Sequence, residues 1–173
     1  MKQVIDFAAK AHQGQQRKYT GEPYINHPIS VKDTLSRLYP KATDAMLQAA
    51  ILHDTVEDTE VTIDEIESNF GHEVATLVHW LTDKSLKSDG NRAARKKIDR
   101  EHLASAPDDA QIVKLADLID NTSSIVEFDK KFAKVYLQEK SKLLDIMSVN
   151  VKTTHIYREA ELVLYAANKS IFG

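Results

Sequence analysis

The sequence contains no cysteine among its 173 residues, and this absence removes several classes of chemistry. Without cysteine there is no disulfide framework, no thiolate ligand for zinc, no iron–sulfur cluster and no cysteine nucleophile. Any metal ion must therefore be bound by nitrogen and oxygen atoms.

Long apolar runs and an excess of basic charge are also missing. The longest apolar segment, AMLQAAIL at 45–52, is too short to cross a bilayer, and the amino-terminal residues do not form a secretory signal. The chain carries 23 Lys and Arg against 26 Asp and Glu, a net charge of -3 that disfavours broad binding to nucleic acid. We therefore expect a soluble, cytoplasmic protein with no membrane or nucleic-acid partner. The composition is compatible with a homo-oligomer.

Glycine and proline are scarce, at 5 and 4 residues, and cluster at a few points. Elsewhere apolar residues recur at steps of three and four, which is the periodicity of amphipathic helices. The pattern predicts an all-α fold, and the length is typical of one domain spanning residues 1–173. The predicted helices lie at about 2–12, 29–38, 44–55, 63–70, 72–81, 92–104, 108–128, 131–149 and 152–170.

His53 and Asp54 end a strongly apolar stretch, AAILHD. Adjacent helical side chains diverge by about 100°, so both reach one metal ion only at the flank of the helix, with other elements completing the shell. Glu57 and Asp58 follow four residues later and stack on the same flank if the helical geometry continues. Imidazole and carboxylate ligands suit Mn²⁺, Fe²⁺, Zn²⁺ or Mg²⁺. Taken alone, a His-Asp pair is more often an ordinary helix terminus.

The segment IVKLADLIDN supplies further polar residues in the second half of the chain. Lys114, Asp117 and Asn121 share one helical face at steps of three and four residues. An isolated aspartate on a helix is usually solvated, but this one follows a run that is otherwise typical of a buried helix. The face could offer a metal ligand flanked by a cation and an amide for phosphate or sugar.

The segment RKYTGEPYINHP is predicted to be an ordered loop that combines cations with aromatic side chains. Arg17, Lys18 and Tyr24 suit a nucleotide, because a guanidinium or phenol stacks on a base and a cation pairs with phosphate. His27 lies at the end of this loop. The alternative is an ordinary surface loop in which Tyr24 packs on the core.

Basic residues also cluster in a charged helix that contains Lys97. Taken alone, this cluster is expected to be a solvated helix face, whereas next to a phosphate site it would act as an electrostatic clamp. Trp80 is expected in the core, and His102 is expected on the surface or in core packing. The basic cluster comprises Arg92, Arg95, Lys96, Lys97 and Arg100.

Four motifs in fixed order resemble a known family: AHxGQxRKxxGEPYIxHP, AAILHDTVEDT, TxxEIxxxFGxEV and VKLADxxDN. Together they are similar to the metal-dependent HD hydrolase domain of the Rel/Spo alarmone enzymes. In length the chain looks most like their stand-alone form, the small alarmone hydrolases. The resemblance covers the chain from about Lys2 to Met147.

The resemblance implies a compact multi-helix HD fold with a bound Mn²⁺ ion. It implies removal of the 3′-pyrophosphate from guanosine 3′,5′-bis(diphosphate) or a related purine nucleotide. It also implies that Glu57 and Asp58, which match the family's motif, orient and activate the attacking water. The implied metal ligands are His27, His53, Asp54 and Asp117. The implied substrate contacts are Arg17, Lys18, Tyr24, Lys97, Asn121 and Tyr136.

One departure from the family pattern concerns a late Arg-x-x-x-Tyr phosphate contact. Tyr136 supplies the tyrosine, but Phe132 occupies the arginine position, and Lys131 and Lys134 are the nearby cations that could substitute. This departure leaves the base, guanine or adenine, open. Two alternatives remain: hydrolysis of another nucleotide, such as a nucleoside monophosphate or NADPH, and a non-catalytic alarmone sensor.

Overall fold

The computed structural model describes all 173 residues, and its regular elements are helices, which confirms the all-α prediction. A single isolated bridge joins Gln16 to Pro23, and a 3₁₀ turn spans Lys87–Asp89. The α-helices, numbered along the chain, are α1 Lys2–Ala11, α2 Asn26–Leu38, α3 Asp44–Leu52, α4 Thr55–Asp58, α5 Ile63–Phe70, α6 His72–Leu81, α7 Arg92–Ala104, α8 Asp108–Phe128, α9 Lys130–Asp145, α10 Val149–Lys152 and α11 His155–Phe172.

Two helices, α3 and α8, form the centre of the fold. The long helix α8 packs against α2, α3, α6, α9 and α11. The four residues 49–52 of α3 are all fully buried, as expected for a helix that is apolar on nearly every side. The carboxyl end of α3 therefore lies inside the protein, facing α8. No helix is both long enough and apolar enough to cross a membrane.

Helix α2 begins at Asn26, three residues before the predicted start at Ile29. The His27 N–H donates to the Tyr24 carbonyl at 3.0 Å, so the turn before the helix leads directly into it. Pro28 then lies in the first turn, where its missing N–H costs nothing. As a result His27 projects from the first turn of α2 and is buried against α8.

Helix α3 ends at Leu52, before the predicted end at Thr55. His53 and Asp54 nevertheless keep right-handed helical dihedrals, with φ of -56° and -97°. The Asp58 N–H donates to the Asp54 carbonyl at 2.9 Å. Helical spacing thus continues through this junction into α4, and Glu57 follows Asp54 by about one turn.

The carboxyl-terminal third differs from the prediction, because α9 ends at Asp145 and a separate short helix, α10, follows. Ser148 terminates the preceding segment: its Oγ accepts the Val151 N–H at 3.2 Å and donates to Asp108 at 2.5 Å. A serine at an N-cap starts a new helix rather than continuing the previous one. A capping box between Thr62 and Glu65 stabilises the start of α5.

Candidate active site

The four predicted metal ligands converge from three parts of the chain. His27 comes from α2, His53 and Asp54 from the junction of α3 and α4, and Asp117 from α8. The ligand atoms of the first three lie within 4.8 Å of one another. Asp117 Oδ1 lies 3.2 Å from His27 Nε2 and 3.6 Å from His53 Nε2. Asp54 Oδ2 lies 3.1 Å from His53 Nε2 and 3.7 Å from His27 Nε2.

The hydrogen bonding of His53 indicates that this group fits a divalent cation. Its Nδ1 lies 2.9 Å from the Ala50 carbonyl and must carry the proton, since a carbonyl only accepts. Its Nε2 is buried and forms no hydrogen bond, so its lone pair is free for a metal. The separations between ligand atoms, 3.1 to 3.7 Å, suit bonds of about 2.0–2.2 Å to one shared ion.

Strong electrostatic coupling links the imidazoles and carboxylates of this group. Burial alone would lower the pKa of His53, but the charges of Asp54 and Asp117 outweigh it and raise the pKa to about 10. Burial likewise opposes ionisation of Asp117, yet the nearby Lys114 ammonium and the two imidazoles hold its pKa well below the usual range. The carboxylates therefore favour a positive charge beside them, which either a proton on the imidazole or a cation that displaces this proton would supply.

Asp120, which the sequence analysis did not single out, orients His27. His27 Nδ1 lies 2.6 Å from Asp120 Oδ2, and the Ser30 hydroxyl donates to the other carboxylate oxygen. Arg17 Nη2 lies 3.7 Å from the same carboxylate. A carboxylate bonded to the second ring nitrogen fixes the tautomer and direction of a ligating histidine. The available signal was the spacing, because Asp120 follows Asp117 by three residues on one helix face.

Glu57 and Asp58 line the same cavity as Asp54 and Asp117. Both side chains are exposed to solvent overall, yet partial burial of the carboxyl groups raises the pKa of each. A neighbouring negative charge adds to the effect, from Asp83 on Glu57 and from Asp54 on Asp58. Carboxylates whose pKa is shifted toward neutrality are suited to proton transfer.

The loop that follows α6 is fixed against α7 and contacts Glu57, one of the acid pair Glu57 and Asp58. The Asp83 N–H donates to Glu57 Oε2 at 3.2 Å, and Lys96 Nζ donates to Asp83 Oδ2 at 2.5 Å. Asp99 accepts the backbone N–H groups of Lys84 and Ser85 at 3.1 and 2.9 Å. This segment is thus tied to α7 beside Glu57.

Helix α8 places three polar side chains along a cavity of about 280 Å³. Asn121 Nδ2 donates to Asp117 Oδ1 at 2.6 Å, and Lys114 Nζ lies 2.9 Å from Asp117 Oδ2. Asp117 is therefore flanked by an amide on one side and an ammonium on the other, as the spacing predicted.

A second cavity of about 230 Å³ adjoins the first, and both are lined by Tyr24 and Asn121. Arg17 Nη1 donates to Asn121 Oδ1 at 3.1 Å, and Lys18 Nζ lies 5.9 Å from the centroid of the Phe132 ring. The Tyr24 hydroxyl donates to Asp54 Oδ2 at 2.5 Å. This second cavity offers a guanidinium, an amide and aromatic faces, which suit a nucleoside.

The loop between α1 and α2 brings Arg17 and Tyr24 to these cavities. The Arg17 N–H donates to the Glu22 carbonyl at 2.8 Å, and the Tyr24 N–H donates to the Gln15 carbonyl at 3.0 Å. Gly21 closes the turn with φ of +72°, a conformation that strains residues with a side chain.

Lys96 and Arg100, rather than Lys97, face the cavity from α7. Lys97 is exposed, and its Nζ lies 3.6 Å from Glu101. Residues four apart share a helix face while neighbours diverge by about 100°, so Lys96 and Arg100 turn inward together. The structure does not bring Lys97 to the site.

Tyr136 is buried beneath the cavities and lines neither of them. Its hydroxyl lies 3.3 Å from Thr122 Oγ1 and 3.4 Å from the Leu118 carbonyl. Lys131 and Lys134 are exposed, and neither lines the two cavities.

Trp80 and His102 were expected to be packing residues, but both line the large cavity. Their rings stack with centroids 4.6 Å apart and an interplanar angle of 21°. Each residue comes from a helix end that reaches the cavity, and the sequence pattern alone carries no signal for that placement.

These features define a helical protein with a candidate histidine–aspartate metal site, and known proteins of similar sequence and fold can be compared with it. The family model described as "HD domain" matches residues 5–143, so the chain belongs to the HD domain family. A human relative named guanosine-3′,5′-bis(diphosphate) 3′-pyrophosphohydrolase MESH1 is 44% identical over 121 residues. That match covers 69% of this chain but 65% of the relative, slightly less than two thirds of its length.

More distant relatives and solved structures agree with this assignment. A protein of Aquifex aeolicus with the same enzymatic name is 37% identical over 143 residues, which cover 80% of this chain and 20% of that protein. A structure described as a metazoan ortholog of SpoT that hydrolyzes ppGpp superposes with a TM-score of 0.80 at 28% identity, covering 97% of this chain and 93% of the other. These matches confirm the resemblance indicated by the motifs.

Proposed function

We propose that this chain is a Mn²⁺-dependent hydrolase that releases pyrophosphate from the 3′-diphosphate of guanosine 3′,5′-bis(diphosphate) or a related purine nucleotide. The observation that carries the proposal is one continuous arrangement, in which four candidate metal ligands adjoin a nucleoside-sized cavity and a second cavity lined by several cations. The names of the human and Aquifex aeolicus relatives support the same substrate.

The quartet of His27, His53, Asp54 and Asp117 would hold the cation. Two imidazoles and two carboxylates without sulfur suit Mn²⁺ among the common divalent ions. When bound, such an ion polarises a phosphate group and lowers the pKa of water to near neutrality.

Residues of the chain would orient the substrate on either side of this centre. In the smaller cavity Arg17 and Asn121 would bind the nucleoside, with the aromatic ring of Phe132 nearby. In the larger cavity Lys114 and Lys96 would neutralise phosphate charge, which stabilises the transition state of phosphoryl transfer. The enclosed position of the quartet would restrict competing water.

Glu57 and Asp58 would orient the attacking water and accept its proton. Both lie about one helical turn beyond the ligand Asp54, on a backbone that keeps helical geometry. The Asp83 N–H bonded to Glu57 Oε2 would keep that carboxylate directed into the cavity.

The decisive experiment is a substrate panel with product identification. Purified, Mn²⁺-loaded protein would be incubated with guanosine and adenosine nucleotides bearing 3′-diphosphates, with nucleoside monophosphates and with NADPH. We expect pyrophosphate and GDP from guanosine 3′,5′-bis(diphosphate). Turnover of a monophosphate or NADPH alone would assign a different hydrolase. Binding of guanosine 3′,5′-bis(diphosphate) without product would indicate a sensor.

The role of the acid pair is tested by Glu57→Gln, which keeps the shape of the side chain and removes its charge. We expect kcat to fall by roughly 10²- to 10⁴-fold, with Mn²⁺ content unchanged, because loss of a general base costs about this much. Glu60→Gln, which changes an exposed carboxylate nearby, is the matched control. Near wild-type turnover in Glu57→Gln would remove Glu57 from the mechanism.

A further inference from the structure

Lys140 is a cation of the large cavity with no anionic partner. It projects from α9, is partly buried, and lines the cavity together with Lys96 and Lys114, whose charges lie near enough to act on it. Its Nζ lies 5.2 Å from the centroid of the Tyr136 ring, and no carboxylate lies within ion-pair distance. Two other lysines of the cavity differ, since Lys96 pairs with Asp83 at 2.5 Å and Lys114 with Asp117 at 2.9 Å.

The surroundings of Lys140 are unfavourable to its charge. Burial, followed by the like charge of Lys114, lowers the pKa of Lys140 to about 8. A partly desolvated ammonium without a partner costs free energy, and an arriving anion would offset that cost.

The lining residues of two neighbouring helices, α8 and α9, follow the same order along the cavity. Along α8, Asn121 lies at the nucleoside end and Lys114 at the cationic end, about 10 Å apart along the axis, with Asp117 between them. Along α9, Phe132 lines the nucleoside cavity and Lys140 the cationic end, about 12 Å apart. Lys140 therefore lies beyond the metal ligands as seen from the nucleoside.

We propose that Lys140 binds the terminal phosphate of the substrate's 3′-diphosphate and stays in contact with the pyrophosphate product. In a nucleoside 3′-diphosphate the phosphate next to the sugar is the one that reacts at the metal centre, and the terminal phosphate extends away from the nucleoside. This proposal rests on the proposed function. It assigns to α9 a phosphate-binding cation two helical turns beyond Phe132.

Product inhibition tests the pyrophosphate-binding and nucleoside-binding parts of the site separately. Inhibition constants for inorganic pyrophosphate and for GDP would be measured at fixed free Mn²⁺ for wild type, Lys140→Met and Lys142→Met. For Lys140→Met we expect pyrophosphate inhibition to weaken at least about 10-fold, which is the loss expected for one charge-assisted contact, while GDP inhibition stays within about twofold. Lys142 is exposed on the same helix, and Lys142→Met should match wild type.

Equal weakening of both inhibitors, or no change in pyrophosphate inhibition, would overturn the assignment of Lys140. Calorimetric titration of inorganic pyrophosphate into the Mn²⁺-loaded proteins gives the same comparison without turnover. A wild-type protein that releases no pyrophosphate from the nucleotide would refute the proposed function, and calorimetry would still decide whether Lys140 binds a diphosphate.

The protonation of Lys140 gives a pH signature. Between pH 7 and 9 the free ammonium loses its proton, so wild-type affinity for pyrophosphate should fall roughly tenfold relative to Lys140→Arg, whose guanidinium stays charged. Parallel pH profiles for the two proteins would contradict the proposal. The charged and titratable groups that line this cavity or contact Lys140 are Tyr136 and Glu139 of α9, Lys114 and Asp117 of α8, Lys96, Asp99, Arg100 and His102 of α7, Asp83 of the preceding loop, Tyr24, Asp54, Glu57 and Asp58.

Discussion

Asp120 shows how a residue outside the ligand set can control the site. It contacts the ring nitrogen of His27 that faces away from the other ligands, and it accepts from Ser30 as well. A buried imidazole with one nitrogen held in this way presents its other nitrogen in a fixed direction.

Asp120→Asn should weaken Mn²⁺ binding by roughly 10- to 100-fold, because the neutral amide holds His27 less strongly. The measurement is a titration of free Mn²⁺ by electron paramagnetic resonance, which does not depend on activity. Asp33→Asn, which changes an exposed carboxylate of α2, is the control and should bind as wild type does. An unchanged affinity in Asp120→Asn would show that packing alone orients His27.

Residue spacing predicted which polar side chains share the central helix face better than it predicted the peripheral contacts. Asp117 and Asn121 share a face because helical periodicity dictates it, and the structure shows that face turned toward His53. Lys97 was expected near phosphate, yet Lys96 faces inward. The periodicity of a charged helix specifies which residues share a face but not which face meets the cavity, since that depends on packing against another element.

At the scale of secondary-structure elements, α7 anchors the loop that contains Asp83. Asp99 is buried in α7 with 8% exposure and accepts from the loop through Lys84 and Ser85. The loop in turn reaches Glu57 through one backbone N–H. The acid pair thus depends on a contact made on a different helix.

Asp99→Asn keeps the side-chain volume but should release the loop, because an amide accepts these backbone N–H groups less strongly than a carboxylate. We expect faster tryptic cleavage after Lys84 and Lys87, a lower kcat and unchanged Mn²⁺ affinity. Glu101→Gln, an exposed change on the same helix, should leave all three unaltered. Cleavage at the wild-type rate in Asp99→Asn would mean that other contacts hold the loop.

Most helices could be predicted from periodicity and caps, and the errors cluster where tertiary contacts decide the boundary. Thr62 and Glu65 form a local capping box, so the start of α5 needs no information from elsewhere. By contrast, the end of α9 depends on Ser148, whose hydroxyl bonds to Asp108 some forty residues earlier. A local pattern cannot contain such a contact.

At the scale of the whole molecule, metal binding and folding should be linked. The quartet draws on α2, the junction of α3 and α4, and α8, all of which pack into one core of buried apolar residues. The unfolded chain has no such convergence, so a cation that binds the folded state stabilises it.

Mn²⁺ at 100 times its dissociation constant should stabilise the protein by about 2.7 kcal/mol and raise Tm by roughly 5–10 °C for a chain of this size. Thermal unfolding in Mn²⁺ and in excess chelator measures the difference. His53→Ala should show little or no shift, because it removes a buried ligand atom. A full shift in His53→Ala would place the cation elsewhere.

The positions of the candidate ligands along the chain also determine the order in which they are synthesised. During synthesis His27, His53 and Asp54 leave the ribosome well before Asp117, and the carboxylate that completes the quartet arrives only with α8. A nascent chain therefore carries an incomplete set of ligands for most of its growth. The identity of the bound cation is therefore determined by the folded protein and by the ions present when the last helices pack on the core.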